Sequence, residues 1–150
     1  MPATSSANTF VNKLFIDTDI LLDLLLARVP HDVSAAQLFT LVESGKAKGY
    51  VSPLSFSNLH DILRRSLSHA EVLRHLRKLR LLMQVVALND KVVDLALSSE
   101  FEDFEDALQY YTVVEHTMDC LITRNKKDYK HAAFPLYTAE EYLSITHINP

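Results

Sequence analysis

Apolar and polar positions fall along this chain in short blocks with two different periods. Leu14-Phe15-Ile16 is an unbroken apolar run that gives way abruptly to carboxylates at Asp17, Asp19 and Asp23. A short run without alternation predicts a strand buried on both faces, with a helix starting just after Asp17. Further on, Leu38, Phe39, Leu41 and Val42 form a helical stripe within residues 35–44. Asp32 and Ser34 are its candidate N-caps, and Gly45 is placed to close it in the left-handed conformation. Residues 49–52 read as a second strand ended by Pro53, and residues 54–67 are helical in period. Ser68-His69-Ala70-Glu71 has the form of a capping box, so a new helix begins there and runs to about Leu82.

The second half repeats the alternation. Residues 84–87 predict a third strand, and Asn89 or Asp90 caps a helix over 92–97. An acidic helix start over 100–106 leads into 107–114. Residues 119–123 predict a fourth strand, followed by a polar loop over 124–130. Phe134-Pro135 opens a fifth strand, placed at an edge because proline cannot donate to a ladder. Residues 139–144 supply a last helical turn or two. Strands alternating with helices predict an α/β fold: three layers, α/β/α, around a central, mostly parallel sheet of four to five strands. Residues 1–12 read as a flexible leader and residues 13–150 as one domain, with no internal repeat or linker.

Composition narrows the class. The 150 residues are 48% hydrophobic with a formal charge of −4, and the mean hydropathy is +0.03. No apolar run approaches the roughly 20 residues that span a bilayer, so no membrane partner is expected. The leader lacks the basic region and apolar core of a secretory signal. The single cysteine, Cys120, excludes an internal disulfide and suits a reducing, cytoplasmic setting; it reads as a small buried strand residue. The negative charge argues against a purely electrostatic nucleic-acid binder, but not against a nuclease whose acidic site lowers the total.

Candidate chemistry lies in the acids. Asp17 follows the first strand, Asp103 and Asp106 share a face at a helix start, and Asp128 lies in the loop after strand four. In open α/β sheets ligands bind outside the carboxyl ends of strands, where these positions converge. Carboxylates forced together repel unless a hard cation neutralises them, and Mg²⁺ or Mn²⁺ takes such oxygen ligands. Acids at a helix start also serve simply as a capped, solvated first turn. His60, His69 and His75 read as surface histidines, since their spacing puts no two on one face of one helix. Arg64, Arg65, Arg74, Arg77, Lys78 and Arg80 form a basic ridge opposed only by Glu71, and Lys126, Lys127 and Lys130 adjoin the acids. Both groups are candidates for binding phosphates. Tyr110, Tyr111 and Tyr129 are candidates for stacking on bases or for core packing, and the run from Leu24 to Leu26 for core or a homodimer interface.

Three segments carry a family resemblance: Phe-Ile-Asp-Thr-Asp-Ile-Leu-Leu-Asp, Asp-Phe-Glu-Asp-Ala-Leu-Gln and Leu-Ile-Thr-Arg-Asn-Lys-Lys-Asp-Tyr. Together they resemble the PIN domain, in particular its bacterial VapC-like branch, over residues 13–143. The resemblance implies a Mg²⁺- or Mn²⁺-dependent endoribonuclease, often the toxin half of a pair with a small antitoxin protein. It implies metal-binding roles for Asp17, Asp106 and the additional Asp103, with Asp128 completing the catalytic set. Thr18, Asn58, Thr123 and Asn125 support the site, and Arg64, Arg65, Lys126 and Lys127 hold the RNA. Asn58 and Asn125 stand where the family usually has acids, which softens the charge. Two alternatives follow: a degenerate PIN module that binds RNA or a partner protein without cleaving, and a phosphatase. The second rests on Asp17-Thr18-Asp19, similar to the Asp-x-Asp motif of haloacid dehalogenase-like enzymes, although Ile20-Leu21 replaces their Gly-Thr.

Overall fold

A computed structural model describes residues 11–148. Its five strands are β1 (Asn12–Ile16), β2 (Ala47–Val51), β3 (Met83–Val85), β4 (Cys120–Ile122) and β5 (Leu136–Tyr137). They form one sheet in the order β3-β2-β1-β4-β5, every adjacent pair parallel. Seven helices are described: α1 (Thr18–Leu25), α2 (Asp32–Glu43), α3 (Pro53–Leu63), α4 (His69–Leu82), α5 (Asp90–Leu97), α6 (Phe104–Glu115) and α7 (Ala139–Ile148). The result is the expected three-layer α/β/α arrangement. The leader expected over residues 1–12 lies outside the described residues as far as position 10, and Asn12 already pairs within β1.

The opening apolar run became the middle strand, where its side chains are buried from both sides. Leu14, Phe15 and Ile16 are all fully buried, and burying side chains of this size contributes roughly 1.5–3 kcal/mol each. Their alternation divides the core. Leu14 and Ile16 face a cluster with Leu38, Leu59 and Leu79, while Phe15 faces another with Val113, Leu121 and Tyr129. Cys120 is a buried strand residue in the first cluster.

Local signals decided most boundaries. Ser68 takes extended backbone and forms the complete capping box with Glu71, so α4 starts at His69. That extended residue is why the helical pattern over 54–67 ends at Leu63 and finishes in turns. Gly45, at φ +80, closes α2: its N–H donates to the Val42 carbonyl, and the Lys46 N–H to Leu41. The acidic stretch over 100–106 is not wholly helical. Asp103 is the N-cap of α6 and accepts from the Asp106 N–H at 3.0 Å, so residues 100–103 precede the helix. The polar loop over 124–130 contains a 3-10 turn, Lys126–Tyr129.

Candidate functional site

β1 and β4 pair with Ile16 beside Ile122, so the residues that follow them emerge side by side at the carboxyl edge. The Asp17 N–H donates to the Ile122 carbonyl at 3.0 Å. The Thr123 hydroxyl donates to Asp17 Oδ2 at 2.7 Å. Parallel register, rather than any local pattern, thus places the first acid. Asp17 is also the N-cap of α1, which carries Asp19 in its first turn. α6 starts at the same edge, and its first turn places Glu105 and Asp106 there.

These groups line one cleft of about 410 Å³, together with Asn58 and Asp61 of α3, Gln109 of α6, and Asn125 and Asp128. Asp17 and Asp106, far apart in sequence, therefore share one cavity. Thr18 lies on its wall, and among the described residues Arg65 is the one arginine or lysine there. Asp103 opens instead onto a neighbouring groove of about 590 Å³, walled by Phe101, Tyr110 and Tyr111 and joined to the cleft through Asp106 and Asp128.

The electrostatics are those of crowded acids. Asp106 is pushed up to about 6, by burial first and then by Asp103, Asp128 and Asp17. Asp17 keeps part of its surface open to the cleft, yet burial raises its pKa and Asp19 adds to the rise; the Thr123 hydrogen bond opposes both. Among the described residues no ion pair reaches Asp17, Asp19, Asp103, Asp106 or Asp128. Nor do any three Asp, Glu, His or Cys side chains among them converge to metal-ligating distance. The donor set still fits a hard divalent cation, being all oxygen and uncompensated, and Mg²⁺ binds through only one or two carboxylates plus water.

The asparagines act as donors. Asn125 Nδ2 donates to Asp19 Oδ2 at 2.8 Å, and its N–H to the Thr123 hydroxyl at 3.0 Å. Asn58 Nδ2 donates to Glu105 Oε1. Each amide therefore holds a carboxylate, Asp19 or Glu105, outside the metal-binding set expected from the sequence. Gln109 gave no signal either, although it stands one turn after Asp106 on the same helix face. Asp23 is elsewhere: it is fully buried and held by Arg28 and Arg124.

The cation candidates separate. Arg65 lines the acid cleft and Lys127 the aromatic groove, while Arg64 is exposed nearby. Lys126 is engaged, its Nζ 2.9 Å from Glu141 Oε1. Tyr129, a stacking candidate, is only 2% exposed and is a core residue, because its ring completes the cluster around Phe15.

This arrangement matches known proteins. Residues 13–127 match the family described as the PIN domain. The solved VapBC2 complex of Rickettsia felis, bound to a DNA fragment from its promoter, is similar at a TM-score of 0.65 and 15% identity. That match covers 84% of this chain and 98% of the other. A toxin–antitoxin complex from Klebsiella pneumoniae gives 0.65 at 19% identity, over 84% and 97%. VapC20 of Mycobacterium tuberculosis, a toxin that cleaves the sarcin–ricin loop, gives 0.63 at 17%, over 81% and 96%. No curated protein matches the sequence. At these identities the structural likeness concerns the fold, whereas the family match spans most of the chain: it belongs to the PIN-domain family.

Proposed function

We propose that this protein is a divalent-metal-dependent endoribonuclease and the toxin component of a toxin–antitoxin pair. The observation that carries the reading is the cleft at the carboxyl edge, where Asp17 and Asp106 share a cavity with no cation paired to either among the described residues. Family membership and the toxin neighbours support it, and both leave the phosphatase alternative without support. Asp17 and Asp106 would hold Mg²⁺ or Mn²⁺, with Asp128 beside them, and Asp103 would add its charge from the adjoining groove. When bound, such a cation supplies a more acidic water and offsets charge on the phosphoryl oxygens. Thr123 orients Asp17, while Asn58 and Asn125 orient Glu105 and Asp19. Arg64, Arg65 and Lys127 hold the RNA backbone, and Lys126 joins them on releasing Glu141. The toxin–antitoxin complex among the similar structures supports a small antitoxin partner for this chain as well.

A PIN module that binds RNA without cleaving is the second reading, favoured by the neutral side chains of Asn58 and Asn125 in the cleft. End-labelled single-stranded and structured RNAs incubated with Mg²⁺, Mn²⁺ or EDTA separate the two. Cleavage that needs metal and is lost in Asp17→Asn supports the nuclease. Binding without cleavage under every condition supports the module.

A further inference from the structure

Between Asp17 and Asp106 lie two side chains to which the cation site itself assigns no role. Tyr129 sits at the end of the 3-10 turn with its ring in the core beside Phe15, Val113 and Leu121. A phenylalanine would fill that space equally well. Its hydroxyl, however, accepts from Gln109 Nε2 at 2.5 Å and donates to Asp106 Oδ1 at 3.3 Å. Gln109 also lines the cleft beside Asp17, where its amide favours the ionised carboxylate. Hydrogen bonds therefore join Gln109 to Tyr129 and Tyr129 to Asp106, and the Gln109 amide faces the same cleft as Asp17, which Thr123 holds from β4.

We propose that Gln109 and Tyr129 form a positioning bridge that sets the spacing of the Asp17 and Asp106 carboxylates for a divalent cation. The inference rests on the reading of that pair as the cation site. Two carboxylates in one cleft repel, and without a constraint they would settle as far apart as their side chains allow. The bridge gives Asp106 a donor at a fixed point and holds the Gln109 amide in the cleft beside Asp17. The point is fixed because the tyrosine ring is locked by packing and the glutamine stands on a helix. Ordered groups beyond the ligands tune metal sites in this way, and their loss typically weakens affinity by roughly 10–100-fold. Neither residue touches the reacting atoms; both act through the acids.

The test is calorimetric titration of Mn²⁺ into the full chain, for the wild type, Tyr129→Phe, Gln109→Leu and the double variant. Melting curves identify the folded fraction. Each single variant is expected to bind roughly tenfold more weakly or worse, and the double variant no worse than the weaker single, because the two residues act as one unit. A role confined to stability would lower the melting temperature and leave the affinity of the folded protein unchanged. Wild-type affinity in Tyr129→Phe overturns the bridge while leaving the cation site standing, as do additive losses in the double variant. Should Tyr129→Phe fail to fold, Gln109→Leu, on the partly exposed side of the bridge, decides between the same outcomes by itself. Absence of Mn²⁺ binding by the folded wild type overturns the cation reading itself.

Discussion

Asp17 and Asp23 stand six positions apart, at the N-terminus of α1 and within it, and the fold treats them in opposite ways. Asp23 is sealed from solvent, with Arg28 Nε 3.1 Å from Oδ1, Arg124 Nε 2.9 Å from Oδ2 and Arg124 Nη2 3.2 Å from Oδ1. Its charge is consumed in holding the turn after α1 and the loop after β4 together. Asp17 receives the Thr123 hydroxyl, and its charged neighbours are more acids. Its charge is left over. Two carboxylates on one short segment thus serve different ends, and the partner, not the residue type or the degree of burial, decides which. The two are also linked: Arg124 lies between Thr123, which orients Asp17, and Asn125, which orients Asp19. The satisfied acid anchors the loop that shapes the unsatisfied one.

Removing the satisfied charge should have the largest effect. Asp23→Asn leaves two guanidinium groups facing an amide, and stability should fall by roughly 2–3 kcal/mol, since breaking a buried pair from one side is costly. In a chain of this size that lowers the melting temperature by about 5–10 °C. A melt within a degree of the wild type would mean that the arginines find solvent at no cost. Removing the left-over charge should do the reverse. Asp17→Asn is expected to leave the metal-free protein unchanged or up to about 1 kcal/mol more stable, because a repelling charge is gone. Millimolar Mn²⁺ should raise the melting temperature of the wild type but not of this variant, and RNA cleavage should fall to background. A metal response equal in both proteins would remove Asp17 from the site.

The acidic side of the contrast is sharpened by pH. With its folded pKa raised to about 6, Asp106 stays protonated in the fold over a range where the unfolded chain has already released its proton. Its ionisation therefore destabilises the metal-free protein as pH rises from about 4 through 6, and the cost is complete above that. Asp106→Asn should melt a few degrees above the wild type at pH 7, with the difference vanishing as pH falls toward 4. A difference independent of pH would show that the Asp106 carboxyl is not raised in the fold. The smallest effect is expected at Asn58. Asn58→Glu sets a second carboxylate against Glu105 and should cost under about 1 kcal/mol without metal, as for other exposed charge pairs. Mn²⁺ should restore more to this variant than to the wild type. Adding Glu105→Gln should return the metal-free melting temperature to the wild-type value, and failure to do so would mean that residue 58 does not face Glu105.

Much of this contrast was legible in the chain, and the part that was not has a physical cause. The break from Leu14-Phe15-Ile16 to Asp17 marks a central strand and its functional end, because only a strand sealed on both faces takes such a run. The capping box at Ser68 and the cap at Gly45 are equally local, resting on hydrogen bonds that span a few residues. Glu105 lies within a segment recognisable as acidic and Tyr129 within one recognisable as polar, yet neither role was readable. Asn58 reaches Glu105 across 47 positions, and Gln109 reaches Tyr129 across 20.

By itself the sequence determined the alternation of strands and helices, the central place of β1, most of the caps, and the presence of acids at the carboxyl edge. Those features follow from periodicity and from backbone chemistry acting over one or two turns. Only the tertiary structure decided which acid is neutralised and which is not. Arg124 meets Asp23, and Thr123 meets Asp17, because β4 pairs with β1 in the register that sets Ile122 beside Ile16. A parallel register joins segments more than 100 residues apart, and a shift of one residue would exchange every partner. The charge left over in the cleft is therefore a property of the pairing, not of any stretch of chain.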